Sequence, residues 1–215
     1  VCGLAINFAE MIRNYYSLFF CIALLVYTIV LSSCGNIIPP SGGARDTIPP
    51  ILVNALPAER TTNFNAQKIV LTFNEYVQLA NVQQQLIVAP NPTNPPQIDS
   101  KLKTITIRLK DSLLPNTTYS INFGNAIQDI NENNPLRNFT YLFSTANQLD
   151  SNTITGKALL AETGLIDTTL IVVAHSNLSD TSIIKNRPIY YTTIDNKGNF
   201  LFKNLPNKAF NLFIV

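Results

Sequence analysis

The sequence predicts an all-β protein: an antiparallel β-sandwich followed by a second, truncated β-sandwich, both behind an N-terminal signal helix. Three observations carry this. From residue 51 onward apolar residues alternate with polar ones at period two, the pattern of strands with one buried face. Short clusters of Pro, Asn and Gly punctuate those runs as turns. Ahead of them stands one charge-free apolar run, and after residue 34 helical periodicity is confined to a turn or two within residues 77–86.

The apolar run covers residues 18–31 (LFFCIALLVYTIVL), 14 residues preceded by Arg13. A membrane-spanning helix needs about 20 apolar residues, whereas the apolar core of a secretory signal needs about 7–15 behind a basic start. The run fits the second description. Met11 is the only methionine, and reading from it puts a short basic start directly before the run. Residues 1–10 are therefore expected to be an upstream mis-assignment of the start, leaving a signal peptide over 11–33 within the segment 1–33.

Leu31, Ser32, Ser33 and Cys34 resemble the lipobox of bacterial lipoproteins, in which small residues precede a cysteine that is acylated and becomes the new N-terminus. The resemblance implies lipidation, palmitate included, at Cys34; an ordinary signal peptide or short membrane anchor ending near a cysteine is the alternative. Acyl chains contribute about 0.8 kcal/mol per buried methylene, so two or three would tether the chain to a membrane stably. Cys2 and Cys21 precede the cut and Cys34 is consumed by lipid, so the mature chain has neither free thiol nor disulfide and relies on its core. Gly35, where the family uses Asp for inner-membrane retention, implies outer-membrane sorting. Some bacterial lipoproteins carry acidic residues just after the cysteine for surface display, and residues 36–40 have none, so the resemblance implies a periplasm-facing protein in preference to a surface-exposed one.

Residues 34–50, rich in Pro and Gly without periodicity, read as an extended tether. Residues 51–148 read as the first sandwich, of about seven strands. Ile69, Leu71 and Phe73 alternate with polar or smaller residues, as do Ile105, Ile107 and Leu109; Tyr119, Ile121 and Phe123; and Phe139, Tyr141 and Phe143. Four marks in this stretch carry a resemblance: Asp46-Thr47-Ile48-Pro49-Pro50; Phe73-Asn74-Glu75-Tyr76-Val77; Leu113-Leu114-Pro115-Asn116-Thr117-Thr118-Tyr119; and Phe143-Ser144-Thr145. Together they resemble the bacterial Ig-like domain known from S-layer proteins, over about residues 48–146. With the lipobox and tether, the whole resembles a family of Bacteroidetes lipoproteins.

Residues 153–215 read as a second unit with strands near 154–159, 170–175, 189–194, 199–203 and 208–215. Ile154-Thr155-Gly156-Lys157, the Thr193-Ile194-Asp195-Asn196-Lys197-Gly198-Asn199-Phe200 hairpin and Asn204-Leu205-Pro206 resemble the carboxypeptidase-regulatory-like, or transthyretin-like, sandwich. The family's glycine after the last of these is missing here, where Asn207, Lys208 and Ala209 stand. Five strands against about seven, and an apolar final strand, suggest a truncated unit.

Lys and Arg number 15 against 13 Asp and Glu, a formal charge of +2, so nucleic acid is not an expected partner. One His and three Cys leave little for catalysis or cofactors. His175, Ser176 and Asp180 form a triad only on paper, because neighbours on a strand face opposite ways; His175 is expected to hydrogen-bond locally at a strand end. Asp129, Asn131 and Asn133 alternate as calcium ligands could, but Asn134 and Thr140 stand where an EF-hand needs Gly and Glu, so a polar turn is preferred and a loose metal site is the weaker reading. Glu75 reads as a capping or tether-facing carboxylate, with burial as the alternative. Tyr190, Tyr191, Phe200 and Phe202 could make a sugar platform, although alternating strand aromatics are normally core.

These expectations combine into a non-enzymatic, lipid-anchored envelope protein whose Ig-like domain is a spacer or protein-interaction module. Its expected partners are the membrane and an envelope protein or glycan. Two alternatives stand beside it: the stalk of a longer envelope enzyme or transport component, and a carbohydrate-binding module.

Overall fold

The computed structural model describes residues 3–31 and 43–215, with side chains over 10–28 in the first stretch. The chain divides into a part ending at Ala44 and a body running from Arg45 to Val215. In the first part a single helix, α1 (Gly3–Leu31), is 29 residues long and extends well beyond the 14-residue apolar run. Met11, Ile12, Tyr15 and Tyr16 carry its exposed apolar surface back by more than a turn. Glu10–Thr28, 19 residues with no buried side chain, is long and apolar enough to cross a membrane, a test that a signal sequence also passes.

The body begins with nine strands: β1 (Leu52–Leu56), β2 (Lys68–Phe73), β3 (Val77–Leu79), β4 (Ile87–Ala89), β5 (Gln97–Lys101), β6 (Thr104–Arg108), β7 (Thr118–Asn122), β8 (Ile127–Asp129) and β9 (Thr140–Ser144). One sheet has the order β1-β2-β6-β5, a second β4-β7-β9, and β3 pairs with β8, all antiparallel. The count exceeds the expected seven because β3, β4 and β8 are three-residue strands, too short to show a period. A single helical turn, α2 (Val82–Gln85), falls within residues 77–86, as expected.

Alternation places the core. Register pairs Ile69 with Ile107 and Leu71 with Ile105, and all four are fully buried. From the other side come Ile121, Phe123, Tyr141 and Phe143, also fully buried. Truncating any of these to Ala costs about 2–5 kcal/mol by lost burial and the cavity left behind. Strand β9 departs from simple alternation, since Leu142 and Ser144 are buried as well as Tyr141 and Phe143. The cause is the segment preceding β2, which runs along β9: Arg60 N–H donates to Leu142 O at 2.7 Å, and Ser144 N–H to Thr61 O at 2.9 Å. Phe64 then seats its ring 4.0 Å from that of Phe143.

The remaining strands are β10 (Asn152–Lys157), β11 (Ile171–His175), β12 (Tyr190–Thr193), β13 (Asn199–Leu205) and β14 (Asn211–Ile214), close to the predicted positions, with one unforeseen helical turn, α3 (Ser182–Lys185). They form a two-stranded sheet, β10-β13, and a three-stranded sheet, β12-β11-β14. Val172, Ala174, Tyr190, Phe202 and Leu205 fill a second, smaller core. Ala89, from the first nine strands, packs against it. Asn91 N–H donates to Ile189 O at 2.6 Å, and Asp150 N–H to the Thr118 hydroxyl at 2.8 Å, so the two sets of strands are hydrogen-bonded to each other.

Candidate functional site

Ser32, Ser33 and Cys34 lie outside the described residues, and Leu31 is the last residue of α1. The geometry therefore concerns the body, and the sequence marks named above acquire physical roles there.

Asn74 holds the arriving tether. Its N–H donates to Ile51 O at 3.0 Å while its side-chain oxygen accepts the Ile51 N–H at 2.7 Å. Phe73 and Val77, either side, are buried in the core. Glu75 is half-buried between them; desolvation pushes its carboxyl above the usual range, and the charges of Asp129, Asp46 and Glu132 add to this against Lys103.

Asp129 organises the loop after β8. It is 2% exposed, and its carboxylate accepts N–H bonds from Glu132 at 2.7 Å, Asn133 at 2.9 Å and Asn134 at 3.0 Å. Burial works to raise its pKa, but these donors together outweigh it and hold the carboxyl below the usual range. The Asn133 side-chain oxygen accepts from Gln78, and the Asn134 side chain donates to Asp46 O at 3.1 Å, so the turn also grips the tether. An ion held by Asp129, Asn131 and Asn133 would have to displace these bonds, and among the described residues no three His, Cys, Asp or Glu side chains converge on one point.

The third and fourth marks meet where β7 pairs with β9, Thr118 opposite Ser144 and Tyr119 opposite Phe143. Asn116 takes a left-handed conformation at φ 49°, which Asn tolerates better than most residues. The Tyr119 hydroxyl accepts the Leu114 N–H at 2.7 Å, a tyrosine corner of the kind found in Ig sandwiches. Thr145 closes the turn, its hydroxyl accepting the Thr117 N–H at 3.0 Å and donating to Leu114 O at 2.7 Å. Tyr119 stacks on Phe143 with ring centroids 5.1 Å apart.

Beside this corner lies a cavity of about 420 Å³ between the 90–96 loop and residues 109–114. Val88, Ile121 and Phe143 form its apolar floor, and Tyr119 and Leu113 line it. Its rim is braced. Asp111 accepts both the N–H of Asn94 at 2.9 Å and its side-chain amide at 2.6 Å, and these bonds hold the Asp111 carboxyl below its usual range. Arg187 donates to Pro92 O at 3.2 Å from the other set of strands. No sequence signal pointed to this cavity, because its lining comes from four separate stretches, 88–96, 109–114, 119–121 and Phe143.

The remaining candidates divide. Tyr190 and Phe202 are buried, as the core reading of those aromatics expects, and the Tyr191 hydroxyl donates to Leu86 O at 3.4 Å. His175 is buried with its ring edge on Phe213, centroids 5.7 Å apart, and its Nδ1 has no partner among the described residues in place of the expected local bond. Ser176 and Asp180 are exposed, so the three do not assemble. Asp195 accepts N–H bonds from Lys197 and Asn199, each at 2.8 Å, around Gly198 at φ 84°, as a tight hairpin requires.

Residues 46–145 match the family model of the bacterial Ig-like domain. Among solved structures the chain is similar to the N-terminal part of the bacterial S-layer protein SbsC, at 15% identity and a TM-score of 0.32, covering 76% of this chain and 37% of that one. It is similar to a longer form of that S-layer protein, rSbsC(31-844), at the same identity and TM-score, covering 22% of that chain. The chain thus spans well under half the length of either. No curated protein matches it.

Proposed function

We propose that this protein is a non-enzymatic, lipid-anchored component of the bacterial cell envelope, in which the Ig-like domain serves as a spacer and protein-interaction module. The observation that carries this reading is an Ig-like match over residues 46–145 that follows in sequence an apolar stretch, Glu10–Thr28, with no buried side chain. Cys34 is the acylated residue, with Leu31, Ser32 and Ser33 as its lipobox, and residues up to 33 are removed. The protein resides in the outer membrane, faces the periplasm and binds an envelope protein or glycan. Residues 153–215 are a partial carboxypeptidase-regulatory-like sandwich, a reading supported by two small sheets closing on one core and by the Asp195 hairpin.

The test is metabolic labelling of the full chain with radioactive palmitate, beside Cys34→Ala, followed by membrane fractionation and intact mass. Label in the parent, none in the variant, and a mass beginning at Cys34 are expected. An unlabelled protein that keeps residues 10–28 and resists extraction would mean that α1 spans the membrane, and would overturn the lipid anchor.

A further inference from the structure

We infer that the cavity beside Tyr119 is a binding site for a small, uncharged, largely apolar molecule carrying one acceptor oxygen. The cavity's volume of about 420 Å³ lies within the range of small-molecule sites. Its floor is the core itself: Ile121 and Phe143 are fully buried and Val88 is 7% exposed, so a guest extends the packed interior. A charged guest is disfavoured on this floor because Val88, Ile121 and Phe143 are apolar and desolvation of an unpaired charge is costly; of the charged residues that also line the cavity, Asp111 is held by Asn94 and Lys110 is exposed to solvent.

The Tyr119 hydroxyl supplies the polar contact. It is nine-tenths buried, and its one hydrogen bond is accepted from the Leu114 N–H. A phenolic hydroxyl both accepts and donates, so its own proton is unmatched among the described residues. A carbonyl or ether oxygen on a guest satisfies that donor, and a hydrocarbon guest does not. The rim is already set by Asp111 with Asn94 and by Arg187 with Pro92, so little ordering has to accompany binding. The site does not depend on how the chain is anchored.

The experiment uses the full chain in phosphatidylcholine nanodiscs with isotope-labelled Val and Ile methyl groups, titrated with acetophenone and with ethylbenzene. The two probes share a ring and near-equal bulk and differ in the acceptor oxygen. The expected result is that both shift the Val88 and Ile121 methyl signals, with acetophenone binding about threefold to tenfold more tightly, the worth of one neutral hydrogen bond. Tyr119→Phe should bring the ratio to about one while leaving ethylbenzene binding in place, and Leu113→Trp should abolish both shifts by filling the space. If the Trp variant does not fold, Tyr119→Phe decides alone. Absence of shifts at these methyls, equal affinities in the parent, or a preference that survives Tyr119→Phe would each overturn the inference.

Discussion

Phe200 lies over the α-carbon of Gly156 in the neighbouring strand: a Cβ at residue 156 would stand 2.5 Å from the ring Cζ and 2.7 Å from Cε1. The two residues face each other directly in the β10–β13 register, and Gly156 is the only glycine in β10. A bare α-carbon lets the ring cover the strand, an arrangement that compensates for the weak packing of a strand glycine. Gly156→Ala forces the ring to tilt away from Phe202, its edge-on neighbour at 6.1 Å, and should lower stability by about 1–3 kcal/mol. The same substitution in a Phe200→Ala background should be close to neutral. Urea denaturation of the four chains of this cycle measures the coupling, and additive effects would show that ring and glycine do not interact.

Asp129→Asn should weaken the loop after β8 in a pH-dependent way. The native carboxyl has a depressed pKa, so its contribution is fully present above the unfolded value near pH 4 and is lost as pH falls through the folded value. Replacing charge-assisted bonds by amide ones, with one side-chain donor now facing an N–H, should cost about 2 kcal/mol at pH 7. The gap between parent and variant should shrink steadily below pH 4. A second readout follows from Glu75, whose pKa is raised first by desolvation and then by the Asp129 charge. Carboxyl titration by NMR should show the Glu75 pKa falling in Asp129→Asn, although not to that of an exposed residue.

Thr145→Val removes the hydroxyl that ties Leu114 to Thr117 and leaves the Thr117 N–H without its acceptor. The expected cost is about 1–3 kcal/mol, the penalty for a lost bond and an unsatisfied donor. Amide exchange at Thr117 should accelerate while that of Ile105 and Ile107 follows global stability alone. Thr145→Ser keeps the hydroxyl and should restore most of the protection.

Those residues show how far the sequence carried. Period-two runs in β2 and β6 stand out because each has one face on the core, and their inward residues are those that alternation selects; in β7 and β9 alternation finds Tyr119, Ile121, Tyr141 and Phe143, whereas Thr118, Leu142 and Ser144 are buried in addition. Strand β5 (Gln97–Lys101) escaped because it is a sheet edge with only Ile98 half-buried, so no apolar alternation is required of it. The Asn116-to-Tyr119 mark was legible as a motif, yet its bonds to Thr145 were not, since they join residues 28 apart in the chain. The Asp129 turn was readable because its donors follow within five residues. The cavity was not: Val88, Ile121 and Phe143 acquire a shared space only through the pairing of β4, β7 and β9.

Two buried tyrosines should make the body sensitive to alkali. Tyr141 is pushed up to about 12, chiefly by desolvation and further by the Glu59 charge, and its hydroxyl donates to Pro57 O at 2.9 Å. Tyr190 is likewise pushed up to about 12, mainly by burial in the smaller core, with lesser contributions from Asp150 and Tyr119. A raised folded pKa means stability that is complete below the unfolded value near 10 and is lost as pH climbs through about 12. Absorbance at 295 nm should therefore show Tyr141 and Tyr190 ionising only as the body unfolds. Tyr141→Phe should cost about 1 kcal/mol at pH 7 through loss of the bond to Pro57 O, but should narrow its deficit against the parent as pH rises from 10 toward 12. A deficit that stayed constant across that window would place the Tyr141 hydroxyl in solvent rather than against the segment leading from β1.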